Sequence, residues 1–161
     1  MEHIIIKNND VILIIKSTVI FNLMNKGEIE TGGILYGYKV SGREEYIITG
    51  NTQKQKKDIC GKNYFIRKDK RHFIILKELW KKDKSIMYFG DWHYHPINNV
   101  FASSDDLRTF SKLCTSCKTN SKYIINIITS RNEFEVFIYH KETVKLQLSK
   151  KIKFLFQKED E

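Results

Sequence analysis

Two histidines one residue apart, His93 and His95, stand in the phrase Gly90-Asp-Trp-His-Tyr-His-Pro96, with Asp106 further along the chain. On an extended strand alternate side chains project to one side, so these imidazoles emerge together, their backbones about 7 Å apart. Two such rings can converge on one divalent ion, each at about 2.0–2.1 Å. Pro96 is the only proline in the chain. It cannot extend a strand ladder, and it fixes the backbone as the chain leaves the pair. Asp106 falls in the first turn of an expected helix, where the helix dipole favours a carboxylate. Two histidines and one aspartate leave a tetrahedral position open, the pattern of a catalytic zinc and not of a closed structural one.

Each piece also has a plainer reading. A histidine on an apolar strand usually fills a core, and Ser103-x-x-Asp106 is an ordinary capping pattern. Glu30 beside Glu28 is, on its own, a loop charge. Capping and chemistry are compatible, because Ser103 at a helix start can also aim its hydroxyl at the site.

The whole phrase carries more than its parts. Glu30 directly precedes Thr31-Gly-Gly-Ile-Leu-Tyr-Gly37, whose glycines permit a close backbone approach. This E-T-G-G-I-L-x-G segment, the later H-x-H-P, and Ser103-x-x-Asp106 together resemble the JAMM (MPN+) motif of zinc metallopeptidases. The likeness runs from about Val11 to Thr129, and no motif position is missing. The Gly-Asp-Trp lead into the first histidine is most similar to short prokaryotic members, among them the deconjugating peptidases of CBASS antiphage operons.

The resemblance implies one zinc ion per chain, held by His93, His95 and Asp106, with Glu30 as general base and Ser103 as oxyanion donor. In that scheme zinc lowers the pKa of its water toward about 7. Glu30 takes the proton and later gives it to the leaving amine, while Ser103 donates to the developing oxyanion. Asp91 shares strand parity with His93 and is a weaker candidate, a carboxylate to hold an imidazole N–H from behind.

The implied substrate is the bond after the C-terminus of a ubiquitin-like protein or a conjugated protein, such as a cGAS-like nucleotidyltransferase. E1/E2-like conjugation enzymes are then the pathway partners. The same residues would serve a peptidase that processes a sulfur-carrier protein. A JAMM-like group linked to DNA repair expects a small Ser-Gly pair after the proline, where this chain has Ile97-Asn98. A metal-stabilised interaction module without catalysis is the non-enzymatic alternative.

Positioning these residues falls to a chain of 161 residues, 41% hydrophobic, with no repeat or linker, so a single domain over 1–161 is expected. No apolar run reaches the roughly 18 residues a membrane span needs, and no cationic leader opens the chain, so no membrane contact and a cytoplasmic location are expected. The net charge of +9 is spread through loops and helix faces, which fits a solvated basic surface better than a nucleic-acid site. Three cysteines, Cys60, Cys114 and Cys117, form no disulfide framework. Cys114 and Cys117 continue the apolar stripe of Leu107 and Phe110, which suits core filling.

Val11–Ile15 reads as a buried strand, and Ser17 as the cap of a helix over 18–25 with Gly27 as its stop. Strands are expected at 33–40 and 45–50 around a Ser41-Gly42 turn, then a polar loop over 51–63. That loop is the candidate wall of the cleft, with Lys54, Lys56 and Lys57 facing a partner. Asp69 opens a helix with Phe73, Leu76, Leu79 and Trp80 on one face. A strand at 86–95, a helix at 104–117, strands at 123–129, 134–139 and 144–148, and a charged tail ending Lys158–Glu161 complete the chain. The fold class is α+β, an α/β sandwich of the JAMM/MPN type. Its central sheet is mixed and mostly antiparallel, flanked by about three helices.

Overall fold

The computed structural model describes residues 3–154. In chain order the elements are β1 (His3–Lys7), β2 (Ile12–Lys16), α1 (Ser17–Leu23), β3 (Thr31–Lys39), β4 (Glu45–Asn51), β5 (Ile59–Cys60) and β6 (Phe65–Ile66). There follow α2 (Arg71–Lys82), β7 (Met87–Tyr94), α3 (Ser104–Ser116), β8 (Tyr123–Thr129), β9 (Glu133–His140) and β10 (Lys145–Lys153). Eight strands form one sheet in the order β1-β2-β4-β3-β7-β8-β9-β10, while β5 and β6 make a small separate hairpin. β2 with β4 and β7 with β8 run parallel; the other neighbours are antiparallel. A mixed sheet with three helices is the expected α+β class. The charged tail lies outside the described residues. Among those residues, no helix is long and apolar enough to cross a membrane.

Helices cover both faces because the central strands are apolar on both. β8, Tyr-Ile-Ile-Asn-Ile-Ile-Thr, is buried along its whole length, which explains why it lacks the alternation of a half-exposed strand. Ile125 and Ile127 join a core with Leu13, Ile15, Phe89, Trp92 and the α1 residues Val19, Ile20 and Leu23. Ile124 and Ile128 face a second core with Phe110 and Cys114 of α3. β7 divides in the same way. Trp92 and Tyr94 point into the first core, as their parity predicts, and leave His93 and Asp91 partly exposed on the α3 side.

The β3–β7 pairing sets the geometry of the cleft. Its register places Thr31 opposite Tyr94, Gly32 opposite His93 and Gly33 opposite Trp92. A Cβ on Gly32 would strike the Trp92 carbonyl and press on the Phe65 ring, and one on Gly33 would strike the Thr52 carbonyl. The two glycines therefore let the hairpin and the 51–58 loop lie directly on the strand.

Three expectations change, and one strand is added. Ser17 does not cap α1: it is already helical, the N-cap is Lys16, and no side chain bonds the helix start. The polar 51–63 segment is not loop throughout, because Ile59 and Cys60 pair with Ile66 and Phe65. On α2 the expected apolar stripe is largely solvent-facing, with Phe73 and Trp80 41% and 45% exposed, and the residue buried is His72. The helix is held by the polar contacts of His72 together with the Phe73 ring, 5.3 Å from that of Tyr88. Finally, β1 pairs β2 at the sheet edge, an element the pattern around Ile4–Ile6 does not announce. The Ser41-Gly42 turn stands as read, with Gly42 at φ 76°.

Candidate metal centre

His93 is delivered by the end of β7, and His95 follows just past it, its N–H donating to the Thr129 carbonyl at 2.9 Å. This bond continues the alignment with β8 for one residue and keeps both rings on the same side. Their centroids lie 4.7 Å apart. Asp106 sits in the first turn of α3 in a reciprocal cap: its Oδ2 accepts from the Ser103 N–H at 2.8 Å, and its own N–H donates to Ser103 Oγ at 3.1 Å. The other oxygen, Oδ1, is 3.1 Å from His93 Nε2. One potential ligand atom from each of His93, His95 and Asp106 lies within 4.8 Å of the others.

Glu30 enters from the facing strand. Continuing the β3–β7 register one residue beyond Thr31↔Tyr94 sets Glu30 against His95. Its Oε1 is 3.5 Å from His95 Nε2, and the residue is only 4% exposed. Glu30 Oε2 and His95 Nε2 are both buried without a hydrogen-bond partner.

Unpartnered buried polar atoms are costly, and a cluster of them beside two further nitrogen and oxygen donors fits a cation. The donor set therefore suits a divalent metal: two imidazoles and a carboxylate, with a second carboxylate set slightly back.

The electrostatics agree. Burial raises the Glu30 carboxyl to about 7, with His93 opposing and Asp106 adding to the rise. Burial pushes His95 down to about 4, reinforced by His93 and opposed by Asp106. Burial works against ionised Asp106, but the hydrogen bond and charge of His93 and the bonds from Ser103 hold it at about 2. At neutral pH His95 is thus an uncharged lone-pair donor, Asp106 is a carboxylate, and Glu30 is poised between its two forms.

These groups line an open cleft of about 890 Å³, walled on one side by Lys62, Tyr64, Phe65 and Arg67 and on the other by Phe101 and Thr109. The expected wall is therefore shifted along the chain. The β5–β6 hairpin forms it, and Lys54, Lys56 and Lys57 do not line the cleft. Asp91 is also corrected. It reaches no imidazole, because its carboxylate is taken by Arg67 Nε at 2.8 Å and by the Tyr88 hydroxyl. Arg67 in turn stacks on Phe73, 4.9 Å from the ring centre. Arg67 was not readable as a cleft residue, since nothing local in Ile-Arg-Lys-Asp points to a partner 24 residues on.

No protein-family model matches the chain. A curated relative does. It is the CD-NTase/cGAS isopeptidase of Enterobacter hormaechei subsp. hoffmannii (strain UCI 50), 30% identical over 115 residues. The match covers 69% of this chain and 61% of the relative, so the chain spans about three-fifths of that protein's length. In fold the chain is similar to the solution structure of protein DSY2949 from Desulfitobacterium hafniense, with a TM-score of 0.55 at 15% identity. That similarity covers 80% of this chain and 84% of the other, and it speaks for the fold alone.

Proposed function

We propose that this chain is a zinc-dependent isopeptidase of the JAMM (MPN+) type. It hydrolyses the amide after the C-terminus of a ubiquitin-like protein or of a conjugated protein. The name of the curated relative favours a cGAS-like nucleotidyltransferase as the conjugated protein. An antiphage pathway served by E1/E2-like enzymes in the cytoplasm is part of the same proposal. The observation that carries the reading is Glu30. A buried carboxyl raised to about 7, with one oxygen unpartnered, faces the His93–His95–Asp106 cluster across 3.5 Å.

When bound by His93, His95 and Asp106, zinc supplies Lewis acidity to a carbonyl and acidity to a water. The chain's own groups do the rest. Glu30 faces the cluster from the neighbouring strand, 3.5 Å from His95, and is placed to accept a proton from water and return it to the departing amine. Ser103 uses its oxygen to accept the Asp106 N–H, which leaves its hydroxyl proton available for a developing oxyanion. The hairpin wall limits access of bulk water from one side and offers main-chain groups to an extended polypeptide.

The test is cleavage of a linear fusion and of a lysine-linked conjugate, followed by mass spectrometry, with metal content measured in parallel. Glu30→Gln should retain zinc and lose cleavage by at least about 100-fold. Undiminished cleavage by zinc-loaded Glu30→Gln would remove Glu30 from the mechanism.

A further inference from the structure

His72 on α2 is fully buried away from the cleft, and both its ring nitrogens are engaged. Nε2 meets Asp58 Oδ2 and Nδ1 meets Thr52 Oγ1, each at 2.5 Å. A carboxylate partner places the proton on Nε2, so Nδ1 accepts from the Thr52 hydroxyl.

Asp58 sits at the neck of the β5–β6 hairpin. Its Oδ1 accepts the N–H groups of Lys68 and Asp69 at 2.8 Å, and its Oδ2 accepts that of Gln55 at 2.7 Å. One carboxylate thus grips the backbone on both sides of the hairpin.

Thr52 ties the same unit to the sheet. Its Oγ1 accepts from the Ile34 N–H at 2.9 Å, and its carbonyl accepts from the Trp92 indole at 2.8 Å. Ile34 belongs to the strand that Glu30 leads into, and Trp92 is the neighbour of His93. The hairpin closes the circuit, since the Gly61 carbonyl accepts the Glu30 N–H at 2.9 Å. An apolar contact could hold α2 down, but it could not take the neck's backbone N–H groups. Burying this many polar atoms is tolerable only because they are mutually satisfied.

We propose that Asp58, His72 and Thr52 are positioning residues for Glu30: they fix the hairpin neck to the sheet, and the hairpin holds the Glu30 backbone through Gly61. The proposal rests on Glu30 being the proton carrier, so its test includes a readout that needs no activity.

The experiment compares wild type, Thr52→Val, which keeps the volume and removes the hydroxyl, and Thr52→Ser, which restores it. Amide hydrogen exchange at Glu30, Gly61 and Lys68 is measured beside β8 amides, zinc affinity by competition with a chromophoric chelator, and kcat and KM on the fusion substrate. In Thr52→Val, the Glu30 and Lys68 amides should exchange at least about tenfold faster while β8 stays protected. Zinc affinity should hold within about twofold, and kcat should fall by about 100-fold with little change in KM, as expected of a misaligned proton carrier. Thr52→Ser should recover both protection and kcat.

Unchanged protection at Glu30 overturns the proposal. So does protection lost equally across β8, or a fall in kcat that follows loss of zinc. If Thr52→Val does not fold, Asp58→Asn carries the same readouts. A wild type that cleaves no probe counts against the isopeptidase reading, and the exchange result still decides the positioning claim.

Discussion

Without metal, Glu30 stays protonated at pH values where an exposed glutamate is fully ionised, because its pKa is raised from 4.5 to about 7. The folded state then holds a proton that the unfolded chain does not. This contribution to stability is complete below pH 4.5 and is lost as pH rises through 7. His95 runs the other way: lowered from 6.5 to about 4, its contribution is complete above 6.5 and is lost as pH falls through 4. The two oppose each other between pH 4.5 and 6.5, and above that window only Glu30 still slopes. Urea unfolding of the chelator-treated protein should therefore show wild type losing about 1 kcal/mol between pH 6.5 and 8 relative to Glu30→Gln. A matching profile in both proteins would mean that Glu30 titrates near its ordinary value. Ser103 has separable duties. Ser103→Asp should keep the α3 cap and the melting temperature but lose cleavage, whereas Ser103→Ala should lose cleavage and about 1 kcal/mol of stability. Equal activity in Ser103→Asp and wild type would leave Ser103 a cap alone. That His93, His95 and Asp106 come together could be read from sequence because strand parity and a helix start are local properties. Asp91 was misplaced because parity says which face a side chain takes and nothing of a competitor such as Arg67.

At the scale of elements, the segments that could be read are those whose apolar pattern faces a core, such as β2, β8 and α3. α2 departs from the apolar pattern because its one fully buried residue is the polar His72, bound to Asp58 and Thr52, and a periodicity of apolar side chains cannot report that. The hairpin reads as loop in the sequence for a related reason. Ile59–Cys60 and Phe65–Ile66 are too short to show a period, and the hairpin is held by Asp58 and by the Arg67–Asp91 pair, 2.8 Å apart. The packing of this hairpin on β3 depends on the missing Cβ of Gly32. Gly32→Ala should push the Phe65 ring and the Trp92 carbonyl away and cost about 1–3 kcal/mol in urea unfolding. Cleavage in the folded fraction should also fall. A stable Gly32→Ala with wild-type rates would show that the wall is not seated through that contact.

For the molecule as a whole, a metal held by the His93–His95–Asp106 cluster would be linked to the fold. Whatever binds the folded cluster and not the unfolded chain adds stability by mass action, about 2.7 kcal/mol at a free concentration 100 times the dissociation constant. Zinc added to the chelated protein should raise its melting temperature, and His95→Ala, which removes one donor, should abolish most of that rise. An equal rise in His95→Ala would place the binding elsewhere. The sheet order explains why no short piece of this chain would bring Glu30 to that cluster. Glu30 stands before β3 and the histidines lie at and just past the end of β7, and only the pairing of those two strands brings them together, with Asp106 arriving later on α3. During synthesis at about 5–20 residues per second, the stretch from Glu30 to Asp106 takes roughly 4–15 s to make. Through that interval a nascent chain carries Glu30 but not the complete His93–His95–Asp106 cluster. On the proposed function, hydrolytic competence would be gained only at a late point in translation, and a chain ending before α3 would lack Asp106.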